Sequence, residues 1–363
     1  MGLKEIIANK IKNNNEFINF DEFMDLALYH QKYGYYRSNS RKIGKNGDFI
    51  TAPETSDLFG FCLAKQIIDI YQNNNLQYSI LEFGAGNGVM AAQILFHLKK
   101  ENNLPEYYYI LELSANLKEW QAQNIFAILP ELRDRVVWLD KLPENFDGVM
   151  LANEVLDAMP TKRAIVKDNY FYEVGVGLEN DEFVWKITDK KISNIGYDLQ
   201  NGYINEFNLN NELWLKTLAD IAGNWSAILI DYGFNEKEFF HIDRKMGTLR
   251  CYKNHQADDN PLVDVGTKDI TSWVNFSNIA KAAKSNNLKV LGYCTQAMFL
   301  ISLGIDRFLM DEESEAKKLQ LANEIKQLVF PNAMGESFKV LVISKNMDNK
   351  ILGFKEQNLK HTL

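Results

Sequence analysis

The chain has 363 residues, 46% of them apolar and 24% charged, enough to bury one large core or two modest ones in a globular protein. A net charge of −8 and a pI near 5.3 argue against a general role on nucleic acid or on an anionic membrane surface. Cys62, Cys251 and Cys294 are too far apart for a zinc ribbon or a redox pair, which predicts free thiols, and no run of about 20 apolar residues predicts a membrane span.

The opening residues, MGLKEIIANKIKNNNEF, set Ile and Leu at helical spacing among Lys and Asn, without the continuous apolar stretch of a secretion signal. Phe20, Phe23, Met24, Ala27 and Leu28 share one face of a second expected helix, and aromatic, turn-like residues 29–36 follow, read as packing. Residues 44–56, GKNGDFITAPETS, read as a loop, by itself an ordinary connection but also of the kind that covers an active site, with Ser56 as the N-cap of the next helix and Asp57 in its first turn. Together these make an N-terminal helical module, residues 1–76.

Strands and helices alternate over residues 77–160, which predicts a parallel sheet. Past Pro160, residues 163–166, 171–176 and 182–187 alternate apolar and polar about the turns KDN and END, predicting an antiparallel insertion over 161–210. The α/β order resumes over 211–345, with a helix at 211–222, strands at 227–230, 288–294 and 338–344, and helices at 276–285 and within 296–328. Residues 234–272 read as an irregular stretch too long for a simple connection and therefore functional, and 346–363 as a tail. Seven principal strands result, the last two as an antiparallel edge pair.

The segment YSILEFGAGNGVM, residues 78–90, ends a buried strand in an acid and three alternating glycines. A dinucleotide site would need its third glycine at Val89, whereas E-x-G-x-G-x-G, from Glu82 to Gly88, is the pattern of class I methyltransferases for S-adenosylmethionine. An ordinary tight turn before a helix would also use these glycines, so partners at set distances decide. Glu112 closes the strand at 107–111, about 25 residues beyond the loop, where a doubly wound fold places the carboxylate that holds ribose hydroxyls. Asp140, closing the strand at 136–139, is a candidate acceptor for an adenine amino group. The strand at 148–152 runs into Asn153, Glu154 and Asp157, an acidic turn expected to face the transferred methyl. His241 with Asp243, and His255 with Asp258 and Asp259, lack compact ligand spacing, so no metal is expected, and no G-x-S-x-G elbow is present.

The strings GDFITAPETSDLFG, LEFGAGNG, ANEVLDAMP, LIDYGF, GTLRCYKNH with DITSWVNF, LGYCTQAMFL and MGESFKVLV occur in this order. Together they resemble the MidA-type methyltransferases of bacteria and mitochondria, from about Phe20 to Ser344. The resemblance implies an α/β, Rossmann-like class I methyltransferase with a seven-stranded sheet, an N-terminal helical module and an antiparallel β insertion. It implies S-adenosyl-L-methionine as cofactor, held by Glu82, Gly84, Ala85, Gly86, Gly88, Glu112, Asp140 and Asn153. Ala85 stands where the family usually has proline. Mitochondrial members are complex I assembly factors that symmetrically dimethylate an arginine, which implies a protein acceptor with an exposed arginine. If arginine is the acceptor, Glu154 and Asp157, three apart, with Asn153, are suited to grip its guanidinium, although Asp157 would equally cap a helix beginning near Ala158. Asp48 and Glu54 would close the site from the N-terminal loop, and Asp231 either faces the same cavity or orients Tyr232. Two alternatives stay open: a non-catalytic S-adenosylmethionine-binding assembly factor and a small-molecule methyltransferase. The expected compartment is the bacterial cytoplasm, or the mitochondrial matrix in a eukaryote, with no nucleic acid partner and no membrane insertion.

Overall fold

A computed structural model describes residues 2–37, 47, 51–72, 78–194, 199–348 and 350–363. Asp48, with the rest of residues 44–46 and 48–50 of the expected loop at 44–56, lies outside the described residues. The chain divides into two compact units, each built from discontinuous segments. One comprises Met1–Phe49, Asp157–Leu213 and Glu236–Val274, the other Ile50–Leu156, Trp214–Asn235 and Asn275–Leu363.

The second unit holds the expected sheet. Its principal strands are β1 (Ser79–Phe83), β2 (Tyr108–Leu111), β3 (Val136–Leu139), β4 (Gly148–Asn153), β5 (Trp225–Phe234), β6 (Lys289–Thr295) and β7 (Phe338–Lys345), and the two-residue strand Val274–Asn275, paired to β5, makes an eighth that the sequence reading did not include. They lie in the order β3-β2-β1-β4-β5-β7-β6. Pairing is parallel from β3 through β5 and antiparallel in β5–β7 and β7–β6, so the closing edge pair has the expected sense. Every residue of β1 is buried, which is why SILEF reads as a continuous run rather than an alternating one. On one face of the sheet Ile80, Val149, Ile228 and Val340 form a core with Ile67, Leu95 and Phe299, which pack against them.

Chain order reverses between β1 and β4, the switch point at which ligands bind in open α/β sheets. Register makes this edge level: Phe83 pairs with both Leu111 and Ala152, and Asn153 pairs with Ile230. The residues that follow the four strands, Gly84, Glu112 and Glu154 with Asp231 inside β5, therefore emerge along one edge. β4 can start beside β1 only because residue 148 is glycine. Its φ is 142°, and a Cβ there would overlap the Ser79 carbonyl oxygen.

Residues 52–55, expected as loop, form a short helix, Ala52–Thr55. Thr51 and Glu54 make a capping box, the Thr51 amide donating to Glu54 Oε2 at 3.3 Å, and Pro53 presets the first turn. Ser56 caps the following helix, Asp57–Gln72, as expected, its Oγ accepting from the Leu58 amide at 3.2 Å.

In the first unit, helices Leu3–Asn13 and Phe20–Tyr29 bury the faces read from sequence. They pack on antiparallel strands: Phe20 meets Trp185 with ring centroids 5.0 Å apart, and Phe23 meets Phe183 at 5.5 Å. Those strands are Ile18–Asn19, Tyr170–Glu179, Lys162–Lys167 and Ile204–Phe207 in spatial order, with Glu182–Asn194 also paired to Tyr170–Glu179. Residues 234–272 are not irregular. They contain helix Glu236–Phe239 and a three-stranded antiparallel sheet of Arg250–Lys253, Gln256–Asp258 and Asp269–Thr271. Strands this short carry no readable period, and their hairpin turns on Asn254 and His255, both at positive φ.

Gly148→Ala should cost about 2 kcal/mol or more, because it adds both a forbidden φ and an overlap. Urea denaturation with the slope unchanged and the midpoint lowered is the expected reading.

Candidate functional site

Residues 84–88, GAGNG, carry the chain from β1 into helix Val89–Lys100. Gly84, Gly86 and Gly88 take φ of 59°, 54° and 83°. At Gly88 a Cβ would sit 2.9 Å from the Gln121 Cα, so the turn needs glycine for contact as well as for conformation.

Gln121, fully buried on helix Ala115–Ile128, organises this corner. Its Nε2 donates to the Gly86 carbonyl at 3.0 Å and to Glu112 Oε2 at 3.3 Å, and its Oε1 accepts from Trp138 Nε1 at 2.8 Å. The Ser114 amide holds the other Glu112 oxygen at 2.7 Å. One buried amide thus fixes the glycine turn against the carboxylate at the end of β2. Asn124 Nδ2 donates to the Asn87 carbonyl at 2.8 Å, and Asn87 Nδ2 donates to Glu54 Oε1 at 2.7 Å. Glu54 therefore ties the capping-box helix to the glycine turn.

Two expected cofactor carboxylates are placed differently from Glu112. Glu82 is buried within the sheet and accepts from the Tyr108 hydroxyl at 2.6 Å. Burial raises its carboxyl to about 7, the Tyr108 bond pulling the other way. Asp140 follows β3 with its side chain 83% exposed, paired to Lys118 Nζ at 2.6 Å.

At the end of β4, Asn153 Nδ2 donates to Glu154 Oε1 at 3.2 Å. Asn153 Oδ1 is buried and has no hydrogen-bond partner among the described residues. Glu154 has a φ of 53°, left-handed for a residue with a Cβ, and its amide donates to the Ile230 carbonyl at 2.9 Å. Asp231, fully buried, accepts the next two amides on Oδ2, Leu156 at 2.8 Å and Val155 at 3.2 Å, and the Tyr232 amide on Oδ1 at 2.8 Å. It holds the acidic turn in shape and orients Tyr232.

Asp157 is buried in the first unit, and its carbonyl accepts from the Ser272 amide at 2.9 Å. Residues 157–158 form a turn and no helix begins at Ala158, so Asp157 is not a helix cap there. Among the described residues no three His, Cys, Asp or Glu side chains are grouped to hold a metal ion, and no helix is long and apolar enough to cross a membrane.

Sequence reasoning missed Gln121, Tyr108, Asn87 and Asn124. The one available signal was Gln121 itself, four residues before Ile125 on the face that the helix buries.

The sheet order with its antiparallel closing pair, and the E-x-G-x-G-x-G turn at its switch point, define a class I methyltransferase. The chain belongs to the family described as S-adenosyl-L-methionine-dependent methyltransferases, which it matches over residues 62–294, and S-adenosylmethionine is its cofactor. A superfamily member from Burkholderia thailandensis, crystallised bound to S-adenosyl-homocysteine, is 34% identical with a TM-score of 0.95, the match covering 99% of this chain and 96% of that one. The protein arginine methyltransferase NDUFAF7 of Danio rerio is 26% identical, over 95% of this chain and 87% of its own. The NDUFAF7 homologue of Drosophila melanogaster is 25% identical, over 92% and 84%. The site suits the cofactor: the turn at Gly88 has no room for a side chain, and Asn153 Oδ1 is a buried acceptor with its bonding capacity unspent.

Gln121→Leu keeps the volume but leaves Trp138 Nε1 and the Gly86 carbonyl unpaired, and each such loss costs about 1–3 kcal/mol. We expect lower stability and about tenfold weaker S-adenosylmethionine binding by calorimetry, about 1.4 kcal/mol of it from the loosened turn.

Glu82 gives a pH test. Burial pushes its pKa in the folded chain up to about 7, above the ordinary carboxylate range, so folding takes up a proton between that range and about 7 and stability falls as pH rises through the window. Glu82→Gln should melt higher than the parent at about pH 8, with the advantage gone below about pH 5. A parallel shift at both pH values would contradict the assignment.

Proposed function

We propose that the chain is a protein arginine N-methyltransferase in which Glu154 receives the acceptor guanidinium. The observation that carries this reading is the held acidic turn: Glu154 in a left-handed conformation, bonded by the Asn153 amide, with the next two backbone amides pinned by Asp231. Left-handed backbone costs roughly 1–2 kcal/mol for a residue with a Cβ, and strain of this kind collects at functional sites. Support also comes from relatives that are named protein arginine methyltransferases and align over nearly the whole chain.

S-adenosylmethionine, when bound, would supply an electrophilic methyl, leaving the neutral thioether S-adenosylhomocysteine. No nucleophilic side chain is required, since alignment alone supplies effective molarities of about 10⁵ to 10⁸ M. The work of the chain is to aim the acceptor. A carboxylate at Glu154 localises the guanidinium charge through bonds of roughly 1.5–3 kcal/mol each and takes the proton released as the N–C bond forms. Asp157 is assigned as a second carboxylate of the grip, Asn153 as an amide acceptor, and Asp48 as a contributor from outside the described residues.

For the cofactor, this reading assigns the ribose hydroxyls to Glu112, close backbone approach to Gly84, Ala85, Gly86 and Gly88, and the adenine amino group to Asp140. Glu82 acts from within the sheet, setting the strand from which that turn departs. The acceptor is a protein with an accessible arginine, and a respiratory complex I subunit is the one that the family resemblance implies. The accompanying compartment is the bacterial cytoplasm, or the mitochondrial matrix in a eukaryote.

The test is Glu154→Gln. Transfer of labelled methyl to arginine in partner proteins from cell extract should fall about 10²-fold or more, with calorimetric affinity for S-adenosylmethionine retained. Undiminished transfer to arginine would sink the assignment of Glu154, and methyl recovered only in small molecules would sink the protein acceptor.

A further inference from the structure

Away from the switch point, the second unit has a groove of about 850 Å³ beside the amino-terminal part of edge strand β6. Five lysines line it, Lys284, Lys289, Lys350, Lys355 and Lys360, against two aspartates, Asp69 and Asp348. Both acids are engaged. Asp348 pairs with Lys289 at 2.8 Å, and Asp69 accepts from Gln66 Nε2 and from the Leu352 amide, both at 2.9 Å. Lys355 contacts Glu356 at 3.6 Å with 70% of its side chain exposed, a pair that water largely screens. Five lysines against two carboxylates leave the groove net cationic on a chain whose net charge is −8. Beneath the lysines, Leu291, Ile351 and Phe354 form an apolar floor.

Protection of an exposed sheet edge explains part of this pattern, because lysine and a bulge are common edge devices and the β6–β7 register shifts between Val290 and Gly292. It does not explain the rest. Only Lys289 belongs to the edge strand, while Lys284 ends helix Phe276–Ser285 and the other three come from the C-terminal segment. That segment already covers the carboxyl-terminal part of β6: the Leu359 amide donates to the Tyr293 carbonyl at 2.6 Å, and Gln357 Oε1 accepts from the Thr295 amide at 3.2 Å. Lysines from three elements converge where the edge is left uncovered, around a concave surface of the size that holds a ligand.

We propose that this groove docks an acidic peptide segment of a partner protein, its carboxylates meeting the lysines and an apolar side chain resting on Leu291, Ile351 and Phe354. Charge complementarity of this kind speeds encounter and selects the partner. It implies a protein-docking surface separate from the residues of the switch point.

The experiment uses the full chain and a short fluorescein-labelled peptide of glutamates interrupted by leucine and phenylalanine, read by anisotropy at low and high salt. We expect salt-sensitive binding that the combined K350E, K355E and K360E variant weakens about tenfold or more, with S-adenosylmethionine affinity unchanged as proof of folding. Replacing the two apolar peptide residues with serine should weaken binding as well. Equal binding to the variant, no binding at low salt, indifference to the serine replacement, or displacement by inorganic phosphate at equal charge would each overturn the proposal. The last two outcomes would reduce the groove to a patch for small anions.

Discussion

The candidate site depends on one buried amide. Gln121 is fully buried, where a lone polar group would cost several times what a satisfied one contributes, and its two ends meet the demands of three different elements at once. The Gly86 carbonyl, the Glu112 carboxylate and the Trp138 indole are fixed relative to one another because they share it. Glycine at 88 follows from the same packing, since the turn lies directly against the backbone of Gln121.

A second device works at the other side of the switch point. The Asp231 carboxylate accepts three backbone amides, Val155, Leu156 and Tyr232, and so stabilises a turn whose first residue, Glu154, is in an unfavourable conformation. Bonds to a charged acceptor are worth about 1.5–3 kcal/mol each, enough to offset the roughly 1–2 kcal/mol of a left-handed residue. The balance favours a preorganised acid over a relaxed one. Position 231 thus contributes by shaping the turn that carries Glu154.

Much of this was legible in the residues. Buried runs such as SILEF, the glycine spacing and the position of Glu112 are local signals, and the parallel sheet with its seven principal strands and antiparallel closing pair was readable, whereas the two-residue eighth strand Val274–Asn275 was not. What was not legible is either too short or too distant in sequence. The hairpin at 250–258 and the helix at 52–55 span three or four residues each, too few for a period, although the Thr51 and Glu54 capping box was there to be read. The roles of Asp231 and Glu82 depend on strands joined across the fold. Glu82, part of the motif, is spent on Tyr108 within the sheet, and Asp157 caps no helix because none starts there.

The strand order has a consequence for how the chain is made. β7, the last strand of this sheet in sequence, lies between β5 and β6, and the segments of the two units are interleaved along the sequence. Until residue 345 has emerged, β5 and β6 each lack the partner that completes them, and the nascent sheet has two apolar, unpaired margins open to other chains. The segments of the first unit are all made by Val274, whereas the second stays open until β7 arrives. Synthesis of this protein therefore has a long vulnerable interval that ends abruptly, and holding chaperones are most needed just before its final strand arrives.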